Sequence, residues 1–190
     1  MAVTENIPRD LQARLAPLLP LLTNASVLAI DGRCGSGKST ITAYLARQTG
    51  AGVVCMDDFF LPAELRTKER FATPGGNIHH ERFAREVLPH IKNGTGFSYR
   101  IFDCNKMEYG GVRRVAPSRL YIIEGAYSHH PVLGDYMDVR VFSDVDPATQ
   151  LERIKQRNEK RVAMFAEKWI PLEEAYINEY GIWERADVVV

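Results

Sequence analysis

The chain lacks an excess of either charge: 24 Lys and Arg stand against 24 Asp and Glu over 190 residues, a formal net charge of zero with His neutral. Without a broad field to hold a polyanion, nucleic acid is excluded as the main partner, and any anion must be bound locally. Cysteine is scarce and odd in number. Cys34, Cys55 and Cys104 are too widely spaced for a disulfide framework or a metal knuckle, and they point to a reducing compartment, the cytoplasm. No basic start leads into a long apolar run. Pro17 and Pro20 interrupt the early leucines, so neither a signal peptide nor a membrane span is expected. Repeats, low-complexity tracts and linkers are missing too. With 45% hydrophobic and 25% charged residues, the length suits one domain with a real core.

Hydrophobic patterning orders what is present. Leu11, Leu15, Leu18 and Leu22 recur at helical spacing and predict an N-terminal helix within residues 1–24, packed on a main domain over 25–190. Short apolar runs at Val27–Ile30, Val53–Met56, Leu120–Ile123, Val139–Phe142 and Val188–Val190 suit strands buried on both faces of a parallel sheet. The stretches between them are long enough for crossover helices: Thr40–Gln48, His80–Lys92 with Pro89 as a kink, Asp146–Phe165 opened by an Asp-Pro cap, and Leu172–Tyr180. Leu61–Gly76 and Asn93–Ser118, marked by Pro and Gly, are expected as excursions from this framework.

Chemistry enters at Gly32-Arg33-Cys34-Gly35-Ser36-Gly37-Lys38-Ser39, followed by Thr40, which satisfies G-x-x-x-x-G-K-[ST] between a predicted strand and a predicted helix. Glycines at these positions let successive N–H groups turn inward onto phosphate oxygens, and the helix adds its positive end. Lys38 is expected on the outer phosphates and the Ser39 hydroxyl on Mg²⁺, which implies ATP with magnesium. A guanine-reading motif is not matched, since Asn105-Lys106-Met107-Glu108 ends in the wrong carboxylate. Asp57-Asp58 follow the second strand, where a carboxylate can take a proton from an attacking hydroxyl or simply cap a turn. Glu124 ends the third strand, a place for a group that holds Mg²⁺ through water, or for an ordinary surface acid.

Asp31–Thr40, Met56-Asp57-Asp58-Phe59-Phe60 and Ile122-Ile123-Glu124-Gly125 resemble the uridine kinase family, within the wider group containing phosphoribulokinase and nicotinamide riboside kinase. Ile170–Glu174 and Ala186–Val189 extend the likeness to the closing helix and strand. The resemblance implies an α/β P-loop NTPase three-layer sandwich: a five-stranded parallel sheet of order 2-3-1-4-5, flanked by helices, with a helical lid around residues 150–165. It implies Asp57 as catalytic base and Glu124 as a magnesium residue. Arg153, Arg157 and Arg161, spaced to fan along one helix side, become lid arginines closing on the transferring phosphoryl group, Arg161 toward the substrate.

The likeness fails around the acceptor. Where uridine–cytidine kinases carry an aspartate for the ribose hydroxyls, this chain has His79 or His80. Where they carry Tyr-Asp-Phe and then a histidine, it reads Phe102-Asp103-Cys104 and Met107. Asp58, His79, Phe102 and Asp103 are the expected substrate contacts, with Tyr99, Arg100, Tyr109 and Tyr127 either lining the pocket or forming an ordinary rim. The pairs His79-His80 and His129-His130 do not suit a metal, because adjacent side chains diverge.

The expected activity is transfer of the ATP γ-phosphoryl group to a hydroxyl of a neutral, uridine- or cytidine-like acceptor. Two alternatives stand beside it: another acceptor such as nicotinamide riboside, pantothenate or a sugar, and a regulatory module that binds ATP without catalysis. The expected partner is a small molecule; a homo-oligomer is left open.

Overall fold

The computed structural model describes residues 7–190; the part of the predicted N-terminal helix over residues 1–6 lies outside the described residues. That helix is in fact two, α1 (Arg9–Leu15) and α2 (Leu18–Leu21). Pro17 has no N–H to continue the first, yet Leu15, Leu18 and Leu22 all stay buried.

Then follow β1 (Val27–Gly32), α3 (Lys38–Thr49), β2 (Gly52–Cys55), a 3₁₀ turn over Met56–Phe59, α4 (Lys68–Ala72), α5 (His80–Glu86) and α6 (Leu88–Asn93). Strands β3 (Phe97–Asp103), β4 (Glu108–Val115), β5 (Tyr121–Glu124) and β6 (Val139–Ser143) lead to α7 (Pro147–Arg157), α8 (Val162–Met164), a π-turn over Phe165–Trp169, α9 (Ile170–Tyr180) and β7 (Val188–Val189). The main sheet runs β2-β5-β1-β6-β7, every neighbouring pair parallel.

Alternation along the central strands divides the core. Leu28, Ile30, Ile122 and Val141 face α1, α2 and α3. Ala29, Ile123 and Phe142 face the opposite side, with Phe83 of α5, Tyr176 of α9 and residues of β3 and β4. Cover on both faces is what all-parallel pairing requires. All six residues of β1 are buried, so the loop that follows is launched from the middle of the core.

The interruption expected at Pro89 divides residues 80–92 into two helices at Val87, because Pro89 in the first turn of α6 has no N–H for the preceding turn. Two expectations change. Residues 93–118 are not an excursion but an antiparallel hairpin of β3 and β4, with a register shift between Arg100 and Phe102. The helix opened by Asp146 stops at Arg157, not Phe165. Asn158 is extended, and its side chain accepts the Lys160 N–H at 3.1 Å, closing a local turn in place of another helical one. Among the described residues no helix is long and apolar enough to cross a membrane.

Candidate active site

At the carboxyl edge of the sheet, Gly32–Ser39 curl from β1 into α3. Two helices brace the curl from behind. From α7, Gln150 Nε2 donates to the Cys34 carbonyl (3.0 Å), and an Arg153 terminal nitrogen donates to the carbonyls of Gly35 (3.0 Å) and Ser36 (3.2 Å). From α9, Glu173 accepts the Cys34 N–H (2.8 Å), and Glu174 takes both Nε (2.6 Å) and a terminal nitrogen (3.0 Å) of Arg33, which also pairs with Asp144. Beneath, the buried Asp31 carboxylate accepts the N–H groups of Gly32 (2.6 Å), Tyr127 (3.1 Å) and His129 (2.8 Å) and the Tyr176 hydroxyl (2.7 Å). A buried carboxylate with four donors is a satisfied one.

Inside the loop, Lys38 Nζ donates to the carbonyls of Gly32 (2.7 Å) and Arg33 (2.9 Å). Thr40 lies in the first turn of α3, its N–H bonded to the Gly37 carbonyl at 2.9 Å. The Ser36 hydroxyl is buried and meets no protein partner among the described residues, a donor that suits an incoming phosphate oxygen.

Two acids face this loop. Glu124 Oε1 lies 3.5 Å from the Ser39 hydroxyl and accepts from the Cys55 thiol at 3.3 Å; burial, then the charge of Asp57, holds its carboxyl above the usual range. Asp57 opens toward solvent from the 3₁₀ turn after β2. Crowding by surrounding protein holds its carboxyl up, with Lys38 and Arg157 pulling down and Asp58 pushing up. Lys38, Ser39, Asp57, Glu124 and Arg157 therefore share one locus. Ser39 and Glu124 offer hard oxygen ligands of the kind Mg²⁺ takes alongside phosphates. Among the described residues no group of three or more His, Cys, Asp or Glu side chains forms a cage for a metal.

Other expected site residues are engaged by protein partners. Asp58 is buried, its carboxylate taken by Arg113 Nε (2.7 Å) and the Tyr99 hydroxyl (3.1 Å), so it clamps the hairpin to the turn. Phe102 packs edge-on against Tyr109 within the hairpin, ring centres 5.5 Å apart. Asp103 caps the hairpin turn by accepting the N–H groups of Asn105 (2.8 Å) and Lys106 (3.3 Å). His79 caps α5, its Nδ1 accepting the Arg82 N–H at 3.3 Å. His80 packs against His130 with tilted rings, centroids 4.3 Å apart, and burial pushes its pKa down to about 3. Tyr99 and Tyr127 are core residues, and Arg100 covers the Tyr109 ring at 4.1 Å.

The arginine fan also divides. Arg153 goes to the loop carbonyls, Arg157 stays near Asp57, and Arg161, beyond the break at Asn158, reaches Asn105 on the hairpin tip.

Sequence reasoning missed Glu173 as a site neighbour; the closing-helix likeness named the position without a role. Burial pushes its carboxyl up to about 7 against the pull of Lys38 and the Cys34 amide, with Asp57 pushing it further up. A carboxyl raised on folding keeps its proton in the native state, so its contribution is present at low pH and lost as pH rises from about 4.5 toward 7. Glu173→Gln is expected to be about 2 kcal/mol more stable than the parent at pH 8 and nearly equal at pH 5. Urea unfolding of the nucleotide-free protein at the two pH values checks this; a variant less stable at pH 8 contradicts it.

A loop of this kind between the first strand and a covering helix, on a five-stranded parallel sheet with acids at the neighbouring strand ends, defines the P-loop kinase fold. No protein-family model matches the chain. It is similar to uridine kinase of Clostridium perfringens, 26% identical over 167 residues that cover 80% of this chain and 74% of the relative. It is also similar to uridine kinase of Ligilactobacillus salivarius, 25% identical over 142 residues, 70% of this chain and 66% of the relative. A solved structure from Bacillus stearothermophilus, described as "a possible uridine kinase", superposes with a TM-score of 0.71 at 21% identity, covering 95% of this chain and 98% of the other. A "putative fructose transport system kinase" from Silicibacter sp. TM1040 superposes with a TM-score of 0.63 at 27% identity, covering 96% of each.

Proposed function

We propose that the protein is an ATP-dependent kinase of small hydroxylated molecules, working in the cytoplasm, where its three free cysteines stay reduced. The observation that carries this reading is the convergence of Lys38, Ser39, Asp57 and Glu124 at one end of the sheet. A binder of nucleotide has no use for a solvent-facing carboxylate aimed at the same locus.

In the proposed reaction the phosphate loop and Lys38 hold the triphosphate, and Asp57 accepts the proton of the acceptor hydroxyl as its oxygen attacks the γ-phosphorus. The new P–O bond forms while the bond to the β–γ bridging oxygen breaks, and ADP leaves. Arg157 faces the developing charge. Magnesium, when bound with the nucleotide through Ser39 and Glu124, neutralises phosphate charge. Arg153 acts one step back, by fixing the loop.

That division has a measurable form. Arg153→Ala is expected to raise the KM for MgATP by ~3–10-fold with a smaller change in kcat, whereas Arg157→Ala lowers kcat by about tenfold or more with a smaller change in KM. Steady-state rates on both variants decide it, and the opposite split would exchange the two roles.

Similarity to uridine kinases supports a nucleoside-like acceptor. One observation favours a sugar, the 27% identity with the kinase described for fructose transport. The test is ADP release from MgATP with uridine, cytidine, nicotinamide riboside, fructose and pantothenate. Release above background with any acceptor supports a kinase; tight MgATP binding with none of these, nor with their phosphorylated counterparts, overturns it in favour of a regulatory module.

A further inference from the structure

A cavity of about 310 Å³ lies between the segment running into α4 and the π-turn ahead of α9, lined by Arg66, Thr67, Lys68, Phe71 and Lys168. Three of the five lining residues are cations and none is an acid. In a chain whose charges balance to zero, that concentration is local. Among the described residues, none of the three cations makes an ion pair within 4 Å. The nearest acid along α4, Glu69, makes no ion pair among the described residues and is held below the usual carboxylate range by its own backbone and Thr67.

Two of the cations are held in place. Lys168 Nζ sits 5.1 Å from the Phe71 ring centre and 5.0 Å from that of Trp169, within cation–π range of both. Arg66 Nε donates to the Leu61 carbonyl at 2.8 Å, which fixes the guanidinium and leaves its remaining donors available. Like charges kept together without counter-charge are the arrangement that an arriving anion relieves.

A chain of contacts leads from beside the cavity toward the turn that carries Asp57. Phe60, which follows the turn carrying Asp57, packs on Trp169 with ring centres 5.8 Å apart. The Cys104 thiol on the hairpin tip feels the charges of both Arg66 and Asp57. A volume near 300 Å³ is at the small end for ligand sites and suits one end of a molecule better than a whole nucleoside.

We propose that the phosphate acceptor carries a phosphate or carboxylate group, received by Arg66, Lys68 and Lys168 while its hydroxyl lies at Asp57. This rests on the kinase reading above, and it replaces the neutral acceptor expected from sequence with an anionic one of the same general class.

The test uses matched probes: ribose with ribose 5-phosphate, fructose with fructose 6-phosphate, and uridine with uridine 5′-monophosphate. Affinity is measured by calorimetry and turnover by ADP release, on the full chain and on Lys168→Glu. Support is an anionic probe bound about tenfold or more tighter than its neutral counterpart, with that preference lost in Lys168→Glu while MgATP affinity moves less than ~2-fold. Lys68→Glu, on an exposed position of α4, gives the same reading should the first variant fail to fold. Neutral probes binding as tightly as charged ones, or a preference indifferent to both substitutions, overturns the proposal and leaves the kinase standing if ADP is released. Charge-dependent binding without ADP release from any probe removes the kinase reading, and with it the acceptor role, leaving only an anion site.

Discussion

Asp57→Asn is expected to lower phosphoryl transfer by ~10²–10⁴-fold, the usual range for a lost general base, while MgATP binds within about threefold of the parent. Asparagine keeps the shape of the side chain and loses its ability to take a proton. The loop residues that bear on nucleotide, Lys38, Ser36 and the amides around them, are untouched. Removing a negative charge beside Lys38 gives no reason for weaker triphosphate binding. The rate profile adds a second signature. Because the carboxyl is held above the usual aspartate range, the acidic limb of the parent lies at higher pH than an ordinary aspartate gives, and the variant lacks it. Pre-steady-state transfer and nucleotide titration together decide the matter; near-normal turnover in the variant would falsify the role given to Asp57.

Gly32→Ala carries the largest expected loss of stability. Gly32 ends β1 with φ +137°, paired with Ser143 of β6, and a Cβ there would lie 2.0 Å from the Ser143 carbonyl oxygen. Backbone, not a flexible side chain, occupies the space, so relief requires separating the two strands or displacing the start of the loop. Strain from the backbone angle alone is ~1–3 kcal/mol, and the steric term brings the expected cost to about 3 kcal/mol or more. That corresponds to a fall in Tm of roughly 6–12 °C for a chain of this size. Gly37 is the control: φ is +108°, yet no atom lies within 4 Å of its added Cβ. Gly37→Ala is expected to cost about 1–2 kcal/mol from the angle alone. Equal losses in the two thermal melts would show that close approach to Ser143 is not what requires glycine at position 32.

The donor half of the site was legible because its signals are local. Eight consecutive residues state the phosphate loop, and Asp57 and Glu124 each follow an apolar run that ends at the same sheet edge. The β3–β4 hairpin and its ties were not. Phe97, Tyr99 and Phe102 are buried while Ser98 and Arg100 are exposed, a largely period-two pattern, yet the flanking Gly94, Gly96 and Pro117 read as loop and the turn after Asp103 is not a two-residue type. Asp58 looked available because its partners are distant, Tyr99 lying 41 positions and Arg113 55 positions away in the chain. Cys34 and Glu173 are 139 positions apart, a distance at which periodicity is silent. The arginine spacing was read correctly as helical for as long as the helix lasts; one asparagine then sends Arg161 to another structural unit.

The break at Asn158 also gives two arginines separate anchorage. Arg157 belongs to the helix that Gln150 and Arg153 fasten to the phosphate loop, so its position follows that loop. Arg161, four residues on, takes its bearing from the hairpin tip instead. Under the proposed reaction, a shift of the hairpin would carry Arg161 with it and leave Arg157 where it stands.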